Sequence, residues 1–282
     1  MIHLKICPII INIMPELPEV ETVCNAINKN IRSKDIVKVD IINPNLRWKI
    51  DNKIIGYLEN NRIKKIYRRA KYIIIECSNG SLFIHLGMTG VIRLLKSKEV
   101  VSFKKHDHFD MIFKNGDILR YSDVRKFGSI HWAKDISKHF LLSNLGVEPL
   151  SEDLTIEYLY YKSKSKNVAI KNLIMNQNIV TGIGNIYASE ALYYSGIRPS
   201  KKSHNLSKRN IKELIICIKN VLNEAIKAGG TTIKDFKKVD GKPGYFKQKL
   251  AVYDQDICKC GNKITNKKIN GRSSYYCNIC QQ

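Results

Sequence analysis

The hydrophobic pattern changes character about halfway along the chain of 282 residues. In the first half, apolar residues at intervals of three and four predict a helix over Pro18–Ile31. Alternation of β-branched residues then predicts a strand over Ile36–Ile42. Two hairpins with Asn-Gly turns and a further strand are also predicted: Tyr72–Cys77 with Leu82–Leu86, Phe109–Phe113 with Ile118–Tyr121, and Ser129–Ala133. This half is expected to be antiparallel β, a sandwich or a barrel, with one leading helix.

Helical periodicity takes over after Leu145–Pro149, where we place the boundary between two domains. The predicted helices are Thr155–Tyr161, Ala169–Met175, Ile186–Tyr194 and Ile211–Ala228. A polar, glycine-bearing loop over 231–245 follows them. The chain is therefore expected to divide into an N-terminal domain over 15–148, a helical domain over 149–250 and a C-terminal segment over 251–282.

The charge balance favours a polyanionic partner. The chain carries 48 Lys and Arg against 25 Asp and Glu, a formal net charge of +23, and such an excess attracts nucleic acid. An AT-rich genome also raises the content of Lys, Ile and Asn, so the charge supports this interpretation without proving it. No stretch of the sequence predicts a transmembrane helix, and a membrane is not an expected partner.

Four of the eight cysteines cluster near the C-terminus and predict a metal site. They form two close pairs, Cys258-Lys259-Cys260 and Cys277-Asn278-Ile279-Cys280, on either side of a basic segment. Such pairs are typical of a structural four-cysteine site for one Zn²⁺, although the first pair has one intervening residue instead of two. The tail is too short for its own core, so the metal would supply its folding energy. The other cysteines are scattered, which favours a reducing compartment, the cytoplasm, over a disulfide framework.

The segment Met14-Pro15-Glu16 offers a catalytic amine. A Met before a small residue is a natural start that is trimmed to leave Pro first, and a free proline amine can form an iminium with a carbon electrophile. Glu16 can supply or accept a proton beside it. The structural alternative is that both residues merely begin a helix. We interpret residues 1–14 as lying outside the mature fold, from a start placed too early or a removed segment; if retained, they would block the Pro15 amine.

Two loop motifs suggest contacts with DNA. Gly182-Ile183-Gly184-Asn185 precedes a predicted helix, where glycines let the backbone approach a phosphate, although the same pattern occurs in tight turns between helices. Met88, Arg125 and Phe127 lie at predicted hairpin ends. Singly, the two apolar residues are typical of a core and the arginine of a solvated surface. As a set, they are suited to fill the hole left by an extruded nucleotide.

Longer motifs follow one another along the chain from Pro15 to its end. They are Pro15-Glu16-Leu17-Pro18-Glu19-Val20-Glu21-Thr22, Arg69-Ala70-Lys71-Tyr72, His85-Leu86-Gly87-Met88, Lys105-His106-Asp107-His108, Arg125-Lys126-Phe127-Gly128, Gly182–Glu190, Gly229–Thr232 and Asp240–Phe246. In this order they resemble the bacterial formamidopyrimidine-DNA glycosylases, bifunctional glycosylase and lyase enzymes of base-excision DNA repair. The resemblance implies an α+β multidomain fold: an antiparallel β-sandwich with a leading helix, then a helical helix–two-turn–helix domain with a zinc-finger hairpin.

The resemblance assigns the chemistry to four residues. Pro15 would attack C1′ of the damaged nucleotide and expel the base, with Glu16 as the matching acid. Lys71 would contact a phosphate and donate the proton in β-elimination, and Arg272 would serve δ-elimination and phosphate contact. The implied substrate is double-stranded DNA that contains oxidised purines such as 8-oxoguanine. A monomer in the bacterial cytoplasm, associated with the nucleoid, is expected.

The resemblance also implies how DNA is held. Four residues match the family's contacts to the DNA backbone or the opposite base: His106, Arg125, Lys166 and Asn185. Void-filling residues match Met88, Arg125 and Phe127, and the loop over 231–245 matches a lid on the flipped base.

Two other functions remain open. An endonuclease VIII-like glycosylase for oxidised pyrimidines is the nearer one, but Leu17 after Pro15-Glu16, the void-filling set and the long 231–245 loop favour the purine enzyme. The other is a zinc-bearing DNA-binding protein without catalysis, which would hold if residues 1–13 stay on the mature chain.

Overall fold

The computed structural model describes residues 14–97, 102–231 and 246–282. Within these ranges the helices and strands are α1 (Leu17–Ile31), β1 (Ile36–Ile41), α2 (Lys53–Leu58), β2 (Lys65–Arg69), β3 (Tyr72–Glu76), β4 (Ser81–His85), β5 (Gly90–Leu95), β6 (Asp107–Phe113), β7 (Ile118–Asp123), β8 (Ser129–Ala133), α3 (Ile156–Lys164), α4 (Ile170–Ile174), α5 (Asn185–Tyr194), α6 (Lys208–Lys227), β9 (Ile264–Ile269) and β10 (Arg272–Cys277). The extension over 1–13 and nearly all of the expected lid, 232–245, lie outside the described residues.

Two separate four-stranded antiparallel sheets form the N-terminal half. Their strand orders are β1-β6-β7-β5 and β2-β3-β4-β8. Residues of α1 and of both sheets share one buried core, to which Val20, Ile73 and Phe109 belong. The predicted α+β fold with a leading helix is confirmed, and the two sheets make it a sandwich rather than a closed barrel.

Three elements of this half escaped the pattern analysis, namely α2, β2 and β5. The strand β2 ends in Arg68 and Arg69, which read as solvated charges in the sequence. In the structure Arg68 has only 8 % of its side chain exposed, and it donates to Glu21 and Glu148 at 2.6 Å each. A buried ion pair between distant residues leaves no periodic signal, and for this reason the strand was missed.

The segment that predicts the domain boundary is bonded to both halves of the chain. Val147 forms a parallel bridge with Val180, in the helical half. The Glu148 carboxylate accepts hydrogen bonds from Arg68 at 2.6 Å and from Arg69 at 3.0 Å, in the sandwich. The domain limits stay a prediction, but this junction fixes how the two halves meet.

The helical half surrounds a second core to which α1 also contributes Leu17. The helix α6 begins at Lys208, three residues before the predicted Ile211, because the Ser207 hydroxyl accepts a hydrogen bond from the Asn210 amide and caps it. The antiparallel β9-β10 hairpin follows. In the described part of the chain, no helix is long and apolar enough to cross a membrane.

A buried ion pair in the sandwich gives a stability prediction. Arg120 on β7 donates to the Asp110 carboxylate at 2.8 and 2.7 Å, and the two side chains are 3 % and 1 % exposed. Asp110→Ala removes two hydrogen bonds of a buried guanidinium, which keeps Asp107 as a partner at 3.2 Å, so we expect the free energy of unfolding to fall by about 2 kcal/mol. Urea denaturation measures the loss.

Asp35→Ala is the matched control, because Asp35 pairs with Arg62, whose side chain is 64 % exposed. An exposed pair contributes at most about 1 kcal/mol. Equal losses in the two variants would contradict a structural role for the buried pair.

Candidate active site and metal centre

The Glu16 carboxylate lies against the N-terminus of α5. It accepts hydrogen bonds from the backbone N–H groups of Gly184 at 2.8 Å, Ile186 at 2.9 Å and Tyr187 at 3.4 Å. Unpaired amides and the helix dipole favour an anion at this position. The anion is thus the protein's own carboxylate, rather than the phosphate that the glycine pattern predicted.

The two glycines before α5 make room for the start of α1. A Cβ on Gly184 would lie 2.3 Å from Glu16 Cδ, and one on Gly182 would lie 2.7 Å from Leu17 Cδ1. The Leu17 amide also donates to the Gly182 carbonyl at 3.1 Å. The Gly-x-Gly motif therefore allows residues 16 and 17 to pack directly against the backbone before α5.

A second buried carboxylate, Glu19, strengthens the same junction. It accepts hydrogen bonds from the Glu16 amide at 2.9 Å, the Tyr187 hydroxyl at 2.6 Å and the Thr231 amide at 2.8 Å. Glu19 is fully buried, and burial raises the pKa of its carboxyl group. Sequence analysis assigned no role to Glu19, although an acid three residues after the N-cap is a capping-box signal.

Cations gather around Glu16 from separate elements. Burial raises the pKa of the Glu16 carboxyl group, and the nearby charge of Lys71 opposes that rise. Burial also lowers the pKa of the Lys71 amine, and the positive charge of Arg272 lowers it further. Pro15 is buried directly before Glu16. The structure therefore brings all four predicted catalytic residues into one cluster.

Lys171, on α4, is a member of this cluster that sequence analysis missed. It is 1 % exposed, and its Nζ donates to the Ser273 carbonyl at 3.0 Å and the Ser274 hydroxyl at 2.9 Å. Burial lowers the pKa of its amine to about 7, with the negative charge of Glu16 opposing the change. Its burial could have been inferred from its position among the apolar residues of the predicted helix Ala169–Met175.

The expected void-filling residues lie on two loops that are bonded to each other. The guanidinium of Arg125 lies 4.6 Å from the centre of the Phe127 ring, and Phe127 is 45 % exposed. The Arg125 amide donates to the Thr89 hydroxyl at 3.0 Å, on the loop of Met88. Buried Asp123, which sequence analysis missed, accepts from the Gly128 amide at 2.8 Å and shapes the loop.

The other predicted DNA contacts lie on both halves. The His106 carbonyl accepts from the Asp123 amide at 2.9 Å, beside the loop of Arg125. Asn185 begins α5, and its Oδ1 finds no hydrogen-bond partner among the described residues. Lys166 is exposed after α3, and the structure describes no hydrogen bond between its side chain and the catalytic cluster.

The four C-terminal thiols form a centre that can hold one zinc ion. Their sulfur atoms all lie within 4.8 Å of one another, with 3.8 Å between Cys258 and Cys280 and 3.6 Å between Cys260 and Cys277. Tetrahedral zinc with Zn–S bonds of about 2.3 Å requires sulfur separations of about 3.8 Å. The donor set and its geometry fit zinc.

A buried glutamate that sequence analysis missed anchors this centre to α5. Glu190 accepts backbone hydrogen bonds from Ala251 at 2.8 Å, Val252 at 3.0 Å and Tyr253 at 2.8 Å. These residues lead directly into the cysteine segment, so α5 connects the metal centre with Glu16.

Comparison with known proteins covers most of the chain. The model of the formamidopyrimidine-DNA glycosylase N-terminal domain matches residues 14–130, and that of the formamidopyrimidine-DNA glycosylase H2TH domain matches residues 145–237. The formamidopyrimidine-DNA glycosylase of Glaesserella parasuis is 47 % identical, covering 95 % of this chain and 99 % of its own. The chain belongs to the formamidopyrimidine-DNA glycosylase family.

Other relatives and solved structures agree. The formamidopyrimidine-DNA glycosylase of Ruthia magnifica is 46 % identical, covering 95 % of this chain and 100 % of its own. Lactococcus lactis Fpg in complex with abasic-site DNA superposes with a TM-score of 0.85 at 33 % identity, covering 95 % of this chain and 100 % of that one. The chain is thus a DNA glycosylase and abasic-site lyase of base-excision repair. A DNA-binding protein without catalysis is not supported.

Gly184→Ala should disable this glycosylase without a backbone conflict. Gly184 has φ −124° and ψ −155°, which alanine adopts freely, but the new Cβ would lie 2.3 Å from Glu16 Cδ. We expect Glu16 to be displaced and cleavage of an 8-oxoguanine duplex to fall more than tenfold. Strand-cleavage kinetics measure this, and Gly56→Ala is the control because its Cβ would meet nothing within 4 Å. Full activity in Gly184→Ala would show that the close packing of Glu16 on Gly184 is dispensable.

Lys171 gives the glycosylase a predictable pH dependence of stability. Its pKa is lowered from 10.5 to about 7 in the folded state, so between these values the unfolded state binds more protons. The free energy of unfolding therefore rises with pH from about 7 to about 10.5. In urea denaturation, Lys171→Met should show a smaller rise, whereas Lys212→Met, at an exposed position on α6, should keep it. An unchanged slope in Lys171→Met would contradict the assignment.

Proposed function

We propose that the enzyme excises oxidised purines from double-stranded DNA through a covalent intermediate on Pro15. The observation that carries this proposal is the burial of Glu16 against the α5 amides, directly after Pro15 and close to the charge of Lys71, which Arg272 in turn approaches. Lactococcus lactis Fpg has been crystallised with DNA that contains Fapy-dG, which supports an oxidised purine as the substrate. We place the enzyme on chromosomal DNA in the bacterial cytoplasm, as a monomer.

Pro15 supplies the nucleophile in the first step. Its secondary amine bonds to C1′ while the glycosidic bond breaks, and the base leaves with the electron pair and takes up a proton. The amine then loses its proton, the bond from C1′ to O4′ breaks, and O4′ is protonated, which leaves an iminium at C1′. Because burial raises the pKa of the Glu16 carboxyl group, Glu16 is suited to donate a proton to the base or to O4′.

The iminium makes the C2′ hydrogens acidic, which drives strand cleavage. Loss of a C2′ proton expels the 3′ phosphate by β-elimination, and a second elimination releases the 5′ phosphate. Lys71 is the proposed proton donor in β-elimination, since burial lowers the pKa of its amine and makes the ammonium form a stronger acid than an ordinary lysine. Arg272 would hold phosphate and assist the second elimination.

Other predicted residues would hold the DNA. Arg125 and Phe127, with Met88 on the adjoining loop, would fill the void behind the flipped nucleotide. His106, Lys166 and Asn185 would contact the DNA backbone or the opposite base. Zinc on Cys258, Cys260, Cys277 and Cys280 would stabilise the fold of the hairpin that carries Arg272.

Pyrimidine lesions are a second candidate substrate class. Lactococcus lactis Fpg has also been crystallised with DNA that contains an oxidised pyrimidine. Release of 8-oxoguanine and of thymine glycol from matched duplexes ranks the two classes, and we expect faster release of 8-oxoguanine.

The mechanism requires that the mature chain begin at Pro15. The match to the family's N-terminal domain begins at residue 14, directly before Pro15. A chain expressed from Met14 should form a covalent adduct with an 8-oxoguanine duplex under borohydride, because a free Pro15 amine forms the iminium. Pro15→Gly should lower the adduct yield by about a hundredfold, measured by gel electrophoresis.

Two controls isolate the amine. Pro44→Gly, in the loop after β1, should trap DNA like the unchanged chain. A full chain whose residues 1–13 are verified as intact by mass should trap none, since Pro15 is then acylated. Equal trapping by that chain would refute the role of Pro15.

A further inference from the structure

The shortened first cysteine pair raises the question of what stabilises its thiolates. Buried thiolates need hydrogen-bond donors, which zinc sites commonly take from nearby backbone amides. Here the Cys258 amide donates to the Asn262 carbonyl and the Gly261 amide to the Cys258 carbonyl, both at 2.8 Å. These two amides bond to carbonyl oxygen atoms and not to sulfur, while the Asn262 backbone is a donor to the Cys260 sulfur only.

Side chains provide donors to both sulfur atoms of the pair. Asn262 Nδ2 lies 3.4 Å from Cys260 Sγ, and the Tyr193 hydroxyl lies 3.3 Å from Cys258 Sγ. The two environments differ, because Cys258 is 3 % exposed whereas Cys260 is exposed to solvent. Water can solvate the Cys260 sulfur, but Cys258 depends on the protein.

Tyr193 is well placed to serve Cys258. It lies in the last turn of α5, and its ring packs against the small apolar cluster that contains Cys258 and Cys277. Since Glu190 on the same helix holds residues 251–253 through three hydrogen bonds, α5 fixes the hydroxyl relative to the cysteine segment.

We propose that Tyr193 is a positioning residue for the metal centre, whose hydroxyl donates a hydrogen bond to the Cys258 thiolate and compensates for the one-residue spacing of the first pair. The bond satisfies a lone pair of the buried sulfur and holds that sulfur in the direction of the metal. Partners of this kind contribute about 10- to 100-fold to metal affinity.

Zinc affinity of the purified chain, measured without DNA by competition with a chromophoric chelator, tests the proposal. Tyr193→Phe keeps the ring and its packing, so the expected tenfold or greater loss of affinity reports on the hydroxyl alone. Tyr194→Phe is the matched control: it removes the neighbouring hydroxyl, on a residue that is 48 % exposed, and should leave zinc affinity unchanged.

Cobalt substitution gives a second measurement that does not depend on activity. The thiolate-to-cobalt charge-transfer band should shift in Tyr193→Phe and not in Tyr194→Phe, since only the first loses a donor to sulfur. Wild-type zinc affinity together with an unshifted band in Tyr193→Phe would overturn the proposal, and circular dichroism would confirm that the variant is folded.

The compensation itself is tested by restoring the usual spacing. One glycine inserted between Lys259 and Cys260 gives two intervening residues and new backbone donors. In that background the loss caused by Tyr193→Phe should shrink at least threefold. A loss that stays the same would overturn the link between Tyr193 and the short spacing.

Discussion

The arrangement of the molecule depends on a carboxylate buried where two helices meet. Glu16, at the start of α1, is 2 % exposed, and removing such a charge from water is unfavourable unless donors replace the water. The first amides of α5 supply those donors with no loss of side-chain freedom. Neither helix can shift without leaving a buried charge or several amides unpaired. Glu19, one turn later, is also a buried acid, and it accepts hydrogen bonds from Tyr187 and Thr231. Two acids on one helix therefore join the sandwich and the helical half.

The same burial determines what the neighbouring cations can do. Lys71, which follows β2, and Lys171, on α4, bring positive charge toward one carboxylate, and Arg272, at the start of β10, acts on both lysines. Burial raises the pKa of the Glu16 carboxyl group and lowers the pKa of the Lys71 amine. These opposite shifts bring the pKa values of the acid and of the amine closer together, which favours proton exchange between them. The interaction that joins the two halves therefore also shifts the pKa values of the residues proposed for catalysis.

Elements with a local signal in the sequence are predicted closely, whereas contacts between distant residues are not. The predicted helix Pro18–Ile31 differs from α1 by one residue, because its one-sided burial leaves a clear period, and β8 matches its prediction, Ser129–Ala133. Residues whose hydrogen-bond partners are distant in the sequence were predicted incompletely. The glycines before α5 correctly indicated a backbone close to an anion, but no local rule identifies that anion as Glu16, 168 residues away from Gly184. Lys171 was missed for the same reason, since a buried lysine and a solvated one look alike until the fold supplies Ser274 as a partner.

The C-terminal hairpin shows why metal ligation and protein contacts have to act together. Its own buried cluster is small, too small to fold a segment of this length independently. Glu190 fixes the start of the segment to α5, and Lys171 fixes Ser273 and Ser274 to α4. The strand β10 begins at Arg272, holds the second anchor at Ser273 and Ser274, and ends at Cys277, one of the four thiols. Because Arg272 and Cys277 lie on one short strand, a metal that held Cys277 would help to fix the strand that carries the guanidinium.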